Sequence, residues 1–169
     1  MKKSLVLALL LTLGMASNVW AWNCNQVVGS TTVDRCTATV FNDTGSAVTS
    51  ASVVAWDDDD TDFSTTHYPY ITTTTTADDP YTAGVMLTGS CADQSLCEIV
   101  VYGPATVRIA DSSDNATVDT LVGNSTVAGQ AGDYATGADT CALGTLIDFD
   151  GDDGNDNALG SVFVDIDCD

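Results

Sequence analysis

Beyond position 3 the chain contains no lysine. Lys2 and Lys3 stand at the start, and Arg35 and Arg108 are the remaining basic residues against 24 acids. Glutamate is almost missing as well: Glu98 stands alone, and every other acid is an aspartate. There is one histidine, His67, and there are three prolines. These shortages exclude several functions. So few cations leave no electrostatic footprint for nucleic acid, whose binding rests on phosphate neutralisation, and none for an anionic membrane surface. One histidine with these cysteine spacings does not make a zinc site. No Gly-x-Ser-x-Gly elbow marks a serine nucleophile. The acids cluster with one another in polar stretches, whereas a glycosidase needs one carboxyl set in an apolar pocket. His67, in Thr65-Thr-His-Tyr-Pro-Tyr70, is then an ordinary surface or half-buried histidine, and no catalytic residue is expected.

The one long apolar run, Ser4 to Gly14, follows Met1-Lys-Lys3 and precedes Val19-Trp-Ala21. A positive start, a short apolar core and a small residue are the parts of a secretory signal. The run falls short of the roughly 20 residues that span a bilayer. Cleavage after Ala21 leaves residues 22–169 as one domain, secreted or held at the cell surface, with no membrane insertion once the signal is removed. That portion sets two arginines against 24 acids, a net charge of −22. A charge of this size works against a compact state unless salt or bound cations screen it.

What is present is threonine, valine, alanine and serine, a set that makes poor helices and serviceable strands. Short apolar runs recur between turn residues. The expected fold is all-β, a single antiparallel sandwich of about eight or nine strands. Six cysteines in an exported chain predict three disulfides. Proximity and strand register favour Cys24–Cys36, Cys91–Cys97 and Cys141–Cys168. Trp22–Val28 pairs with Thr32–Phe41. At the other end Thr140–Asp148 pairs with Ser161–Asp169, setting Leu143 against Ile166, Thr145 against Val164 and Ile147 against Val162. Between them, Leu87 is expected opposite Val101 and Gly103-Pro104 as a turn. Thr106–Ala110 and Thr117–Val122 form a further hairpin. Gly123–Asp139 is a surface loop with one short strand near Thr126. Thr72–Thr76, after Pro69, suits a solvated edge strand able to pair with a second copy.

Ala38-Thr-Val-Phe-Asn-Asp-Thr-Gly-Ser-Ala-Val-Thr-Ser-Ala-Ser-Val-Val-Ala-Trp56 resembles the opening of transthyretin-like and carboxypeptidase-regulatory-like sandwiches. Those begin with a strand, a D-x-G-type turn, a polar step and a strand of alternating valines. The resemblance extends loosely over residues 38–121, and Thr76-Ala-Asp-Asp-Pro80 approximates the family's next turn. It implies a β-sandwich module of an extracellular protein and no activity.

The densest oxygen cluster is the loop Asp148-Phe-Asp-Gly-Asp-Asp-Gly-Asn-Asp-Asn157. Asp148, Asp150, Asp152, Asp153 and Asp156 surround two glycines that let the backbone curl. The loop resembles the D-x-D-x-D-G calcium loops, although Asp153 stands where those have glycine and Leu159 where an EF-hand has glutamate. Calcium takes oxygen ligands from a flexible loop, and five carboxylates this close repel without a cation. Asp57 and Asp59, in the run Asp57–Asp60, are a second candidate calcium site. Trp56, Tyr68 and Tyr70 are a candidate ligand face. Asn42, Asn115 and Asn124 head Asn-x-Ser/Thr triplets and mark surface turns. The function these features favour is an exported calcium-binding structural protein that assembles with itself through strand edges into a filament, matrix or surface layer. A secreted carbohydrate- or protein-binding module is the alternative, and an extracellular hydrolase the third.

Overall fold

The computed structural model describes residues 23–25, 35–57, 68–87, 89–110, 118–137, 139–149 and 158–168. The expected signal segment, residues 1–21, and His67 lie outside them. The described residues are all-β and contain no helix. The strands are β1 (Asn23–Asn25), β2 (Arg35–Asn42), β3 (Val48–Thr49), β4 (Val53–Trp56), β5 (Tyr70–Thr72), β6 (Thr82–Met86), β7 (Ser90–Cys91), β8 (Ser95–Ile109), β9 (Leu121–Asn124), β10 (Ala131–Asp133), β11 (Cys141–Phe149) and β12 (Ala158–Cys168).

Ten of these strands make one sheet in the order β1-β2-β5-β4-β6-β8-β10-β9-β11-β12, while β3 and β7 pair with each other. Two further pairings, β2–β8 and β8–β12, close that sheet on itself. The result is two rings of five strands, β2-β5-β4-β6-β8 and β8-β10-β9-β11-β12, with β8 common to both. The expected sandwich of two facing antiparallel sheets gives way to this closed arrangement. Two of its joints, β2–β5 and β8–β10, are parallel.

Each ring has its own core. Val107, Ile109, Val122, Leu143, Leu146 and Val162 fill one, and Val40, Ile71, Ile99 and Val101 the other. The strands where the rings meet serve both. Val53 joins the first core and its neighbour Val54 the second. Val85 and Met86 divide in the same way, as do Val100 and Val101. Strands covered on both faces are expected to read as continuous apolar runs, which is what Val53-Val-Ala55 and Ile99-Val-Val101 are.

β8 is 15 residues long because Gly103-Pro104 does not turn the chain back. Gly103 adopts φ 96° inside the strand, a bend that glycine makes cheaply. The half before it pairs with β2, from Cys36↔Tyr102 to Asn42↔Ser95. The half after it pairs with β12, from Asp165↔Tyr102 to Ala158↔Ile109. Pro104 has no amide to donate, yet sits exposed opposite Phe163. β6 meets β8 as Val85↔Val100 and Met86↔Ile99, and the Leu87 amide donates to the Glu98 carbonyl. Leu87 therefore lies near Glu98 and not opposite Val101. β8 and β9 are not a direct hairpin: β10 lies between them. The stretch expected as a surface loop supplies that strand, with Ala131 fully buried, while Thr126 is exposed between strands. Small residues carry little apolar signal yet fill a tight interior.

All three expected disulfides are formed: Cys24–Cys36, Cys91–Cys97 and Cys141–Cys168. At the C-terminal hairpin the cysteines lie opposite each other, but the register then slips. Gly144 pairs with Val164, Thr145 with Phe163 and Leu146 with Val162, with irregularities on either side. Ile147 is the extra residue of the second irregularity, so Leu146 takes the inward position expected for Ile147. Gly144 makes the first one possible: a Cβ there would fall on the carbonyl oxygen of Phe163. Leu146 is 0 % exposed and Ile147 48 %. Leu146→Ala is accordingly expected to cost about 3 kcal/mol, and Ile147→Ala to stay within about 0.5 kcal/mol. Urea unfolding of the two variants measures both, and equal losses would contradict this register.

Candidate functional site

β11 and β12 form a long antiparallel arm whose base is closed by Cys141–Cys168 and whose far end pairs Phe149 with Gly160. Alternation along β12 turns Val162 and Val164 inward and leaves Asp165 and Asp167 exposed. Asp148 is exposed near the end of β11, paired with Ser161. Asp150, Asp152, Asp153 and Asp156 lie outside the described residues, so the structure supplies the frame of the expected loop and not its interior. Asp57 follows β4, half-buried, with its amide donating to the Tyr70 carbonyl at 3.1 Å. Asp59 is outside the described residues. Among the described residues no three histidine, cysteine or acidic side chains are grouped closely enough to hold a metal ion.

The three aromatic candidates do not share a surface role. Tyr70 is 5 % exposed and meets Phe41 edge-on, with ring centres 5.0 Å apart. Trp56 is half-buried, packs against the second core, and donates its amide to the Tyr81 carbonyl at 2.7 Å. Only Tyr68 of the three is exposed. An interior place in the sheet accounts for the outcome: Tyr70 lies in β5, which has β2 on one side and β4 on the other, and its neighbour Ile71 is buried too. The same placement removes Thr72–Thr76 as an open edge, since β5 ends at Thr72 and is paired on both sides. Among the described strands it is β1, β3 and β7 that have one partner each.

Two asparagines taken as surface markers turn out to be structural. Asn42 is 0 % exposed. Its Nδ2 donates to the carbonyls of Ser46, Cys91 and Ala92, and its Oδ1 accepts from the Thr44 amide. It thus ties the β2–β3 turn to the Cys91–Cys97 loop. Asn124 is 3 % exposed and donates through Nδ2 to Thr82. Asn115 lies outside the described residues. Sequence inspection also passed over Asp78, a buried carboxylate in the turn before β6. Its Oδ2 accepts from the Ala135 amide at 3.0 Å, its own amide donates to Asn124 and its carbonyl accepts from Cys141. Gly123 makes room for it, because a Cβ there would overlap Asp78 Oδ1. The only signal in the sequence was its place in Asp78-Asp-Pro80, a turn.

No protein-family model matches the chain, and no curated protein matches it. Among solved structures it is similar to the head fiber gp8.5 N base of bacteriophage phi29, at 15 % identity and a TM-score of 0.47. The match covers 78 % of this chain and 94 % of that one. A similarity of this size carries no inference about what the chain does. Residues 38–56 run as the end of β2, a turn with Gly45 at φ 73°, the short strand β3 and the valine strand β4.

Because their side-chain amides are engaged and buried, Asn42 and Asn124 are expected to remain unmodified when the chain is secreted from a glycosylating host, as peptide mass spectrometry will show. Asn42→Ala strands three inward carbonyls and is expected to cost about 2 kcal/mol in urea unfolding.

Proposed function

We propose that the chain is an exported structural protein that assembles with copies of itself outside the cell, and that calcium binds in its 148–157 loop. The observation that carries this is the stapled frame. Three disulfides each join strands or a tight loop within a doubly cored β domain. Disulfides are at home in oxidising, extracellular settings. Strand pairs locked at their bases suit a part that bears load more than one that must move. The aspartate loop is set on one of these pairs, with Cys141–Cys168 at the base and Phe149↔Gly160 at the tip. Asp148 stands exposed at the mouth of that loop. Calcium takes about six to eight oxygens from carboxylate-rich loops, and it would offset the mutual repulsion of five aspartates. It would also lower the repulsion between copies of net charge −22. Assembly through strand edges would fall to β1 or to the β3–β7 pair.

A binding module built on Trp56, Tyr68 and Tyr70 has less support, because Tyr70 is inside.

Melting curves in low salt, with calcium and with chelator, test the ion. Free calcium at a hundred times its dissociation constant is expected to add about 2.7 kcal/mol, and the double variant Asp150→Asn, Asp152→Asn to lose most of that gain. An unchanged midpoint in the unmodified protein would remove the calcium site. Electron microscopy and sedimentation, with and without calcium, test the assembly; a monomer under every condition would overturn it.

A further inference from the structure

The domain after the signal segment has two cations, Arg35 and Arg108, and the fold places both on one surface feature. Arg35 opens β2 and lines a cavity of about 450 Å³ together with Leu87, Pro104 and Thr106. Arg108, near the end of β8, lines a neighbouring cavity of about 240 Å³ with Leu87, Thr106 and Leu159. Leu87 and Thr106 belong to both, so the two cavities adjoin as one trough, with Arg35 lining one part and Arg108 the other. Its floor is the outer face of the β8–β12 pair, where Ser161 lies opposite Thr106 and Leu159 opposite Arg108. That floor is rigid because the opposite face of the pair is core: Val107, Ile109 and Val162 are fully buried. Arg108 is held in place, its Nε donating to the Ser50 carbonyl at 3.2 Å and its amide to the Ala51 carbonyl at 2.8 Å. Leu159, at 57 % the most exposed of the large apolar side chains among the described residues, stands beside it.

A mixed floor of leucine, proline and hydroxyl side chains lined by two arginines is the chemistry of a docking surface for a carboxylate-bearing chain. Arginine and apolar groups are enriched at interface centres, and guanidinium meets carboxylate in a paired geometry. The charge of the molecule then decides the occupant. Two copies, each with 24 acids and two arginines, repel one another over most of their surfaces. The trough is the place where the two arginines gather. We propose that it receives an aspartate-bearing extended segment of a second copy of this chain, and so forms one of the contacts of the assembly; this rests on the assembly proposed above.

Sedimentation velocity at low and high salt, on the full exported chain, tests the assignment. The variants are Arg35→Glu, Thr106→Glu, which sets a carboxylate on the trough floor from an exposed position, and Arg35→Lys, which keeps the charge. Each is first checked for an unchanged melting midpoint. Self-association of the unmodified chain is expected to weaken with salt, as exposed charge pairs do. Arg35→Glu and Thr106→Glu are each expected to weaken it by about tenfold or more, and Arg35→Lys to retain most of it. If the unmodified chain associates and both glutamate variants associate equally well, the trough is overturned while assembly stands. If the unmodified chain is monomeric at every salt concentration, both fall. A monomer whose midpoint is raised by polyaspartate, with the rise lost in Arg35→Glu, would assign the trough to a foreign anionic partner and overturn the pairing of copies.

Discussion

The double burial of β8 is the constraint on which the structure depends. One strand cannot close two five-stranded rings unless each of its faces meets a core, and unless it bends between its partners. The first condition is met by Ile99, Val100 and Val101, which alternate between the two cores. The second is met at Gly103, whose positive φ lets the strand pass from β2 to β12 without ending. β4 and β6 follow the same rule with Val53 and Val54, and with Val85 and Met86. Closure has a further effect. A sheet that returns to itself leaves few open edges, and among the described residues these are confined to the short strands β1, β3 and β7.

Close approach of backbones is the second theme. Gly84 lies against the carbonyl of Val100 and Gly144 against that of Phe163, so that a side chain at either would force strands apart. Both are inside strands, where glycine otherwise weakens pairing. Their cost is offset by the cores that the tight packing completes, and by the disulfide that clamps β11 to β12 near Gly144. Asn42 and Asp78 do comparable work with hydrogen bonds, each satisfying buried backbone groups where strands hand over to turns. Both are part of what ties the turns to the rings.

Charge shapes how such a molecule meets its surroundings. Asp165 and Asp167 are left exposed on the outer positions of β12, whereas Asp78 and Asp79 are buried in a turn. The two arginines of the domain line adjoining hollows on the β8–β12 face. Cations in the medium influence contacts between copies wherever aspartates face each other. The proposed calcium loop and the proposed arginine contact would be two answers to the same electrostatic problem, one using a bound ion and the other a fixed side chain.

Much of the fold was legible from residues alone. β-rich composition implied an all-β domain, and cysteine spacing implied the three pairings observed, since neighbouring strands bring 24 to 36 and 141 to 168 by register. What failed were inferences that used one neighbour at a time. Gly103-Pro104 is a turn by local preference, but two partner strands hold it extended. Ile147 is inward by simple alternation, but the irregular register moves that place to Leu146. Asn42 and Tyr70 look like surface residues, yet packing from distant segments covers them. The acidic loop was readable as a cluster of oxygens, and the structure adds its frame. The arginine trough was not readable at all, because Arg35 and Arg108 are far apart in the chain and come to adjoining cavities only through the pairings of β8. Sequence by itself determined the secondary structure class, the staples and the charge, all of which are local or additive quantities. The tertiary structure alone decided closure, register and the placing of the two arginines on one face, because these depend on contacts between segments that share no local signal.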